Sequence, residues 1–458
     1  MLVVSKDVGV GEFYQLYTLE AGALTLLTDG RSRNEGATWD REGNRLAYTS
    51  TRRNGTDSDI YIVDPRDPKS DRMVVSVKGN GWAMSAFAPG GKKAIVERYF
   101  SVEKSELYEF DIASGKMTRL MPECVTVAWS GATYGPDGTI YVRCDQGSDF
   151  KRLGKLANGA FVALNPETNW DIEDFAVAED GSFIAYEINE AGVSRLRLLD
   201  PKSGRVREAK LPDGVLGGIA IAPWGEVAFT FSSAQSAGDA YSLDPATLKV
   251  RRWTASETGG LDPVSNALPE LVSARSFDGI EVSGFLYRPN PAKLPGKRPM
   301  IVDIHGGPEG QFKPGFRDGE NYIVNELGIA MFWPNVRGST GFGKTFVGLD
   351  NGPFKREDSV KDIGAFLDVL AKDPGLDAAH SRSGGQLRRV HVLRLGDPLC
   401  RPLPRGAVHG GDLELRQLPR KHAKLSPRSA THRIRRRARS GPAREADRNW
   451  AAYADRRD

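Results

Sequence analysis

Three cysteines in 458 residues, Cys124, Cys144 and Cys400, are too few and too scattered for a disulfide framework or a four-thiolate zinc site, and they leave the redox compartment undecided. No run of 18 apolar residues occurs, so no membrane span is expected. The opening Met1-Leu2-Val3-Val4 carries no basic stretch and Asp7 follows at once, so no secretory leader is read and a cytoplasmic location is the default expectation. Metal-ligand spacing is missing as well, and no cofactor is expected.

Aromatic residues are scarce in one region only: residues 381–458 contain Trp450 and Tyr453 out of 40 in the chain. The same stretch holds 18 Arg and 2 Lys against seven acidic residues, net +13, whereas residues 1–380 are net −9. The composition therefore breaks sharply near Ser381.

Before that break a pattern repeats. A turn glycine opening an alternating strand recurs at Gly43 (EGNRLAY), Gly91 (GGKKAIV), Gly138 (DGTIYV), Gly181 (DGSFIAY) and Gly225 (WGEVAF). In most repeats another strand follows and ends at an Asp and a turn: IYIVDP to Pro65, LYEFDIASG to Gly115, LRLLDPKSG to Gly204 and AYSLDP to Pro245. A period of roughly 40–50 residues with several short strands in each matches propeller blades, because a lone four-stranded blade cannot cover its apolar face and must stack on a neighbour. Residues 1–262 are thus expected to form an incomplete β-propeller of five to six blades, with Leu2 to Gly30 as a fragmentary unit and the start of the chain falling in mid-strand.

From Ser276 the period changes. SFDGIEVSGFLYRP reads as a hairpin, KRPMIVDIHGGPEGQ as a buried strand ending at His305-Gly306-Gly307-Pro308, and GIAMFW (Gly328 to Trp333) as another buried strand entering PNVRGSTGFG. Ser359 to Leu370 has helical spacing, with Val360, Ile363, Phe366, Leu367 and Leu370 on its apolar face. Strand and helix in alternation indicate an α/β fold with a parallel sheet.

A propeller followed by HGGP, NVRGSTGFG, KREDSVKDI and then GLDAA resembles the prolyl oligopeptidase family of serine peptidases, on its bacterial dipeptidyl or acylaminoacyl peptidase side. The resemblance covers Met1 to about His380. It implies a propeller capping an α/β-hydrolase domain, short peptides as substrates, and acyl transfer by Ser, Asp and His in that chain order. It assigns His305, Gly306 and Gly307 to the oxyanion side, and Arg337, Gly338, Gly341 and Gly343 to the family's glycine-rich loop. Residues 263–380 would then be the N-terminal half of the hydrolase domain, and residues 381–458 a disordered basic tail.

Acyl transfer needs a serine activated by a base, an acid that orients the base, and preorganised donors for the oxyanion. The serine belongs on a strained G-x-S-x-G turn between strand and helix. No such motif occurs from 381 to 458: Ser381, Ser383, Ser426 and Ser440 lack the flanking glycines, and His391, His409, His422 and His432 have no nucleophile or acid placed around them. The elbow position falls near Gln386 and Leu387. The chain as translated is therefore expected to be catalytically dead.

A shift of reading frame near His380 accounts for both the charge break and the missing elbow. Gly384 to Val392 (GGQLRRVHV) can be encoded GGG GGG CAG CTA CGG CGG GTA CAT GTC, which one base later reads Gly-Gly-Ser-Tyr-Gly-Gly-Tyr-Met. Lys424 to Arg439, read the same way, permits Ser-Tyr-Arg-Arg-Asp-Leu-Arg-Arg-Ile-Glu-Tyr-Gly-Asp-Glu, which resembles a stretch that follows the elbow in such peptidases.

Three other readings compete. The propeller could serve as a peptide-binding module. Gly338 to Thr345 fits GxxxxGK[ST], so Lys344 and Thr345 could face a nucleotide phosphate and magnesium, but Gly348 and Asn351-Gly352-Pro353 interrupt the long helix that such a loop requires. Arg433, Arg435, Arg436, Arg437 and Arg439 could neutralise nucleic-acid phosphates, although without stacking aromatics or a recognition motif no specific nucleic acid is expected.

Overall fold

The computed structural model describes residues 1–7, 11, 13–122, 126–157, 159–306, 309–352 and 355–385, with the backbone alone for 378–385. Its first part is six consecutive antiparallel sheets. Blade 1 has three strands, β1 (Leu2–Lys6), β2 (Gln15–Glu20) and β3 (Ala23–Leu26). Blade 2 is β4 (Asn34–Trp39), β5 (Leu46–Ser50), β6 (Asp59–Asp64) and β7 (Asp67–Val75), and blade 3 is β8 (Trp82–Phe87), β9 (Lys93–Ser101), β10 (Lys104–Asp111) and β11 (Met117–Arg119). Blade 4 comprises β12 (Trp129–Tyr134), β13 (Ile140–Cys144), β14 (Arg152–Ala157) and β15 (Ala160–Ala163). Blade 5 comprises β16 (Ile172–Val177), β17 (Ile184–Glu190), β18 (Val193–Leu199) and β19 (Val206–Glu208). Blade 6 comprises β20 (Val215–Ile221), β21 (Val227–Ser233), β22 (Ser236–Leu243) and β23 (Val250–Arg252).

The repeating glycines sit where the period places them, in the turn joining the first and second strands of blades 2 to 6. All five have φ between 62° and 91°, a conformation that costs a residue with a Cβ. The aspartates after the third strand hold the next turn: Asp111 Oδ1 accepts from Ser114 N at 2.8 Å, Asp200 Oδ1 from Lys202 N at 2.9 Å and Asp244 Oδ1 from Ala246 N at 2.8 Å.

Strand alternation explains the stacking. On β5, Leu46 and Tyr48 turn to blade 1 while Ala47 turns to blade 3. On β17, Ile184, Tyr186 and Ile188 pack on blade 4 and Ala185 on blade 6. A central blade thus buries both faces, each large apolar side chain contributing about 1.5–3 kcal/mol. The first strands of blades 2 to 6 carry a feature the periodicity did not reveal: each has a register irregularity against the second strand, between Glu35/Thr38, Met84/Ala86, Ser130/Thr133, Ile172/Asp174 and Gly217/Ala220.

The second part is one five-stranded sheet in the order β24-β25-β27-β26-β28. Its strands are β24 (Glu270–Arg275), β25 (Glu281–Tyr287), β26 (Arg298–Ile304), β27 (Ala330–Asn335) and β28 (Leu376–Gly385), with helices α1 (Asp318–Asn325), α2 (Lys344–Val347) and α3 (Arg356–Leu370). β24–β25–β27 are antiparallel; β27–β26–β28 are parallel. The apolar stripe of α3, Val360, Ile363, Phe366 and Leu370, is buried, and Phe366 meets Phe332 edge-on at 4.9 Å between ring centroids. On the other face Trp333 stacks on Phe312 at 4.8 Å, with Tyr287, Met331 and Val324 around them. The order is that of the leading half of an α/β-hydrolase sheet.

β28 continues past residue 380, where the composition breaks. The strand is present and extends to Gly385, because its ladder on the open edge of β26 needs backbone groups rather than particular side chains. Its register slips once: Pro299 pairs with Asp377 but Ile301 with Arg382, so two steps on β26 are matched by five on β28.

Candidate active site

β26 and β27 are parallel neighbours, so the residues leaving their C-terminal ends meet. His305 follows β26 and Ser339 lies in the loop after β27. The imidazole Nε2 is 2.8 Å from Ser339 Oγ, and Nδ1 is 2.9 Å from Gly306 O. Burial holds the His305 pKa below its usual value, which favours the neutral ring, with Nδ1–H donating to the Gly306 carbonyl. The Ser339 hydroxyl then has one proton for two acceptors, His305 Nε2 and Val336 O at 2.6 Å.

This serine–imidazole pair is absent from the sequence reading; its signal was the adjacency of two buried strands each ending in a polar residue. It does not have nucleophile geometry. Ser339 is fully buried, and the second ring nitrogen meets a backbone carbonyl rather than a carboxylate. What the pair does is fix the ring and the first carbonyl of the His305-Gly306 turn. Gly307 lies outside the described residues.

The glycine-rich loop is anchored at both ends. Gly338 has φ 88°, and a Cβ there would lie 2.6 Å from Asp350 Oδ2. Burial raises the Asp350 pKa, Arg356 opposes it, and Asp350 in turn acts on His305. Arg337 points into the hydrolase core. Its Nη2 donates to Asp362 Oδ1 at 2.7 Å, its Nε to Asp362 Oδ2 at 2.9 Å and its Nη1 to Asp278 Oδ2 at 2.8 Å, while Ser276 Oγ donates to Asp362 at 2.6 Å. Burial opposes the Arg337 charge, but these carboxylates hold its pKa above the ordinary value.

The far half of the loop clasps the propeller. Gly341 and Gly343, both at φ 87°, let the backbone approach Asn189 and Asp149. Asp149 Oδ1 accepts from Thr345 N at 2.8 Å and Thr345 Oγ1 at 2.6 Å, and Asp149 O from Lys344 N at 2.8 Å. Lys344 Nζ donates to Asp145 O at 3.0 Å. The groups that a phosphate would need are turned to carboxylate and carbonyl oxygen, and α2 spans four residues. Nearby, Asn189 Nδ2 donates to Glu173 Oε1 at 2.8 Å and to Gln311 Oε1 at 2.6 Å, and Lys313 lies 3.4 Å from Glu173. Burial would raise Glu173, but Lys313 and Asn189 outweigh it and hold its pKa below the usual value.

Gly385, the last residue of β28, pairs with Ile304, the residue before His305, so the described chain ends beside the His305 turn. Gln386, Leu387 and the basic cluster Arg433 to Arg439, with the serines and histidines of the tail from 386 onward, lie outside the described residues; Ser381 and Ser383 lie on β28. Among the described residues no group of three His, Cys, Asp or Glu is placed to hold a metal.

No family model matches the chain. Over 113 residues, 24% of this chain and 17% of the relative, it is 31% identical to an uncharacterized peptidase, YuxL, of Bacillus subtilis (strain 168). Over 129 residues, 25% of this chain and 18% of the relative, it is 31% identical to dipeptidyl aminopeptidase BIII of Pseudoxanthomonas mexicana. The chain thus spans less than a fifth of the length of these curated relatives. Among solved structures it superposes on a puromycin hydrolase with TM-score 0.71 at 19% identity, covering 84% of this chain and 65% of that one. It also superposes on prolyl oligopeptidase B of Galerina marginata with TM-score 0.68 at 15% identity, covering 83% and 59%. The six-bladed propeller and the hydrolase half-sheet thus have the fold of the prolyl oligopeptidases, and both local sequence matches are to peptidases.

Proposed function

We propose that this chain carries the propeller and leading half-hydrolase of a serine peptidase acting on short peptides, and that in its present reading frame it performs no acyl transfer. The observation that carries this is the end of β28: Gly385 sits beside Ile304, where the nucleophile turn belongs, and the chain continues Gln386-Leu387 without a serine. The only described serine bonded to an imidazole, Ser339, is buried and has no path to an acyl carbon.

The frame shift supports the same reading. The register slip in β28 lies between Asp377 and Arg382, the place where the codon argument puts the change of frame. Sequencing the DNA around codon 380 tests it: one inserted or deleted base upstream of Gly384 is expected, and an uninterrupted family frame through the elbow overturns it. Expression from a version with the frame restored should then gain hydrolysis of a chromogenic aminoacyl substrate, which this chain lacks.

A binding role for the propeller without catalysis is the second reading, favoured by the polar groups that blades 4 and 5 present toward the hydrolase, among them Asp149, Glu173 and Asn189. Nucleotide binding at Gly338 to Thr345 is weaker, since Lys344 and Thr345 are engaged by Asp145 and Asp149.

A further inference from the structure

Blades 5 and 6 enclose a cavity at the end of the propeller away from the hydrolase half. The hydrolase meets these blades where β17 passes into β18 and β21 into β22, through Asn189 and Ser232. The cavity lies at the opposite ends of the same strands, among the turns β16–β17, β18–β19, β20–β21 and β22–β23, and measures about 820 Å³. That volume is in the range of ligand sites.

Its blade 5 wall carries two arginines. Arg207 pairs with Leu198 across the β18–β19 ladder, and Leu198 packs toward blade 6, so Arg207 turns to blade 6 as well. Arg205 lies two residues earlier on the same face, about 7 Å along the strand. Arg207 Nη1 donates to Ala246 O at 3.2 Å, which holds this guanidinium across the cleft. Among the described residues the Arg205 guanidinium has no hydrogen-bond or ion-pair partner. Two acids of the lining are taken up by their own turns: Asp180 Oδ1 accepts from Ser182 N at 2.9 Å and Ser182 Oγ at 2.6 Å, and Asp200 accepts from Lys202 N at 2.9 Å and Ser203 Oγ at 2.6 Å. Among the described residues Glu179 is the one lining acid without such a bond, so the free hydrogen-bonding capacity of the cavity is mainly cationic. The blade 6 wall is apolar, with Pro223 and Trp224 facing the buried Phe183 and Leu198. Trp224 Nε1 donates to Glu226 Oε2 at 3.2 Å, which orients the ring although it is 78% exposed.

We propose that this cavity docks an extended acidic segment of a partner protein, with carboxylates at positions i and i+2 and an aromatic residue between them. Alternate side chains of an extended chain share a face, so the two carboxylates meet Arg205 and Arg207 at matching spacing while the intervening ring turns to Trp224. Guanidinium and carboxylate match in shape as well as charge, and the aromatic contact adds attraction beyond area burial. The cavity stands apart from the His305 turn, so it holds its partner whether or not the hydrolase half performs chemistry.

The test titrates the whole chain, by fluorescence anisotropy at physiological salt, against fluorescein-labelled Gly-Glu-Phe-Glu-Gly, its isomer Gly-Glu-Glu-Phe-Gly and the neutral Gly-Gln-Phe-Gln-Gly. The isomer has the same composition and charge but puts its carboxylates on opposite faces, so it reports general attraction by the basic residues 381–458. The alternating peptide should bind about tenfold more tightly than the neutral one and about fivefold more tightly than the isomer, as two exposed ion pairs allow. Arg205→Gln and Arg207→Gln should each weaken it about threefold, and Trp224→Ala should weaken it as well. Arg251→Gln should change nothing, since it removes a guanidinium that lies 3.8 Å from the Trp253 ring centroid, outside the cavity. An unchanged melting temperature shows that the variants are folded. Equal affinity for the two acidic isomers, an affinity that survives both arginine substitutions, or an equal loss in Arg251→Gln overturns the proposal, and none of these outcomes bears on the peptidase reading.

Discussion

Replacing Asp362 with alanine should unlock the hydrolase half while leaving the propeller intact. Asp362 is fully buried and joins α3 to the end of β27 and to the β24–β25 hairpin, through Arg337 N at 2.9 Å, the guanidinium at 2.7–3.1 Å and Ser276 Oγ at 2.6 Å. The Arg337 side chain is itself only 2% exposed, so the substitution leaves a desolvated cation. Breaking one side of such a pair costs about 3–5 kcal/mol. Asp278 still reaches Nη1 and Nη2 at 2.8 and 3.1 Å and is 32% exposed, which puts the cost at the lower end, about 3 kcal/mol. Hydrogen exchange followed by mass spectrometry reads this directly. Amides of β26, β27 and α3 should lose about a hundredfold in protection, since each 1.4 kcal/mol is a factor of ten. Those of blades 2 and 3 should not change. The Arg337→Met, Asp362→Leu double variant, apolar on both sides, should recover most of the loss. A fall of less than fivefold for Asp362→Ala would show that Asp278 carries the guanidinium alone and refute the reasoning.

Gly338→Ala should lower the melting temperature by several degrees, from a strained φ of 88° and collision with the Asp350 carboxylate, each worth about 1–2 kcal/mol; an unchanged melting curve contradicts it. The Asp149→Ala variant should release the glycine-rich loop, seen as faster exchange at residues 340–347 with β28 unaffected. Glu97, in which burial outweighs Arg143 and lifts the pKa to about 7, holds a proton in the folded chain that the unfolded chain releases above its ordinary 4.5. Its contribution is therefore full below pH 4.5 and lost as pH rises toward 7. The melting temperature of Glu97→Gln should rise relative to the parent between pH 5 and pH 8, and a constant difference counts against it. Burial lifts the Cys144 thiol to about 12, so iodoacetamide at pH 8 should leave it unlabelled until the chain is denatured.

Much of the architecture was legible because its signals are local. Gly43, Gly91, Gly138, Gly181 and Gly225 occupy positive-φ turns that few other residues tolerate, and their spacing sets the blade period. The helix over Ser359 to Leu370 follows from its apolar stripe and extends three residues further back, to Arg356. The site was less legible because its contacts are distant in sequence. His305 and Ser339 meet only through the parallel pairing of β26 and β27, and Thr345 meets Asp149 across 196 positions. Read locally, Gly338 to Thr345 looked like a phosphate loop; in the fold the same glycines let the loop backbone close on the Asp350, Asn189 and Asp149 side chains. β28 runs past the compositional break at residue 380, since edge pairing is made by the main chain.

The central claim is that this polypeptide has no activated serine. Incubating the purified chain with an excess of an alkyl fluorophosphonate, then measuring intact mass and mapping the peptides, tests it most directly. The account predicts an unmodified mass with every serine free, whereas stoichiometric phosphonylation of a single serine, Ser339 or any in the tail, would contradict it.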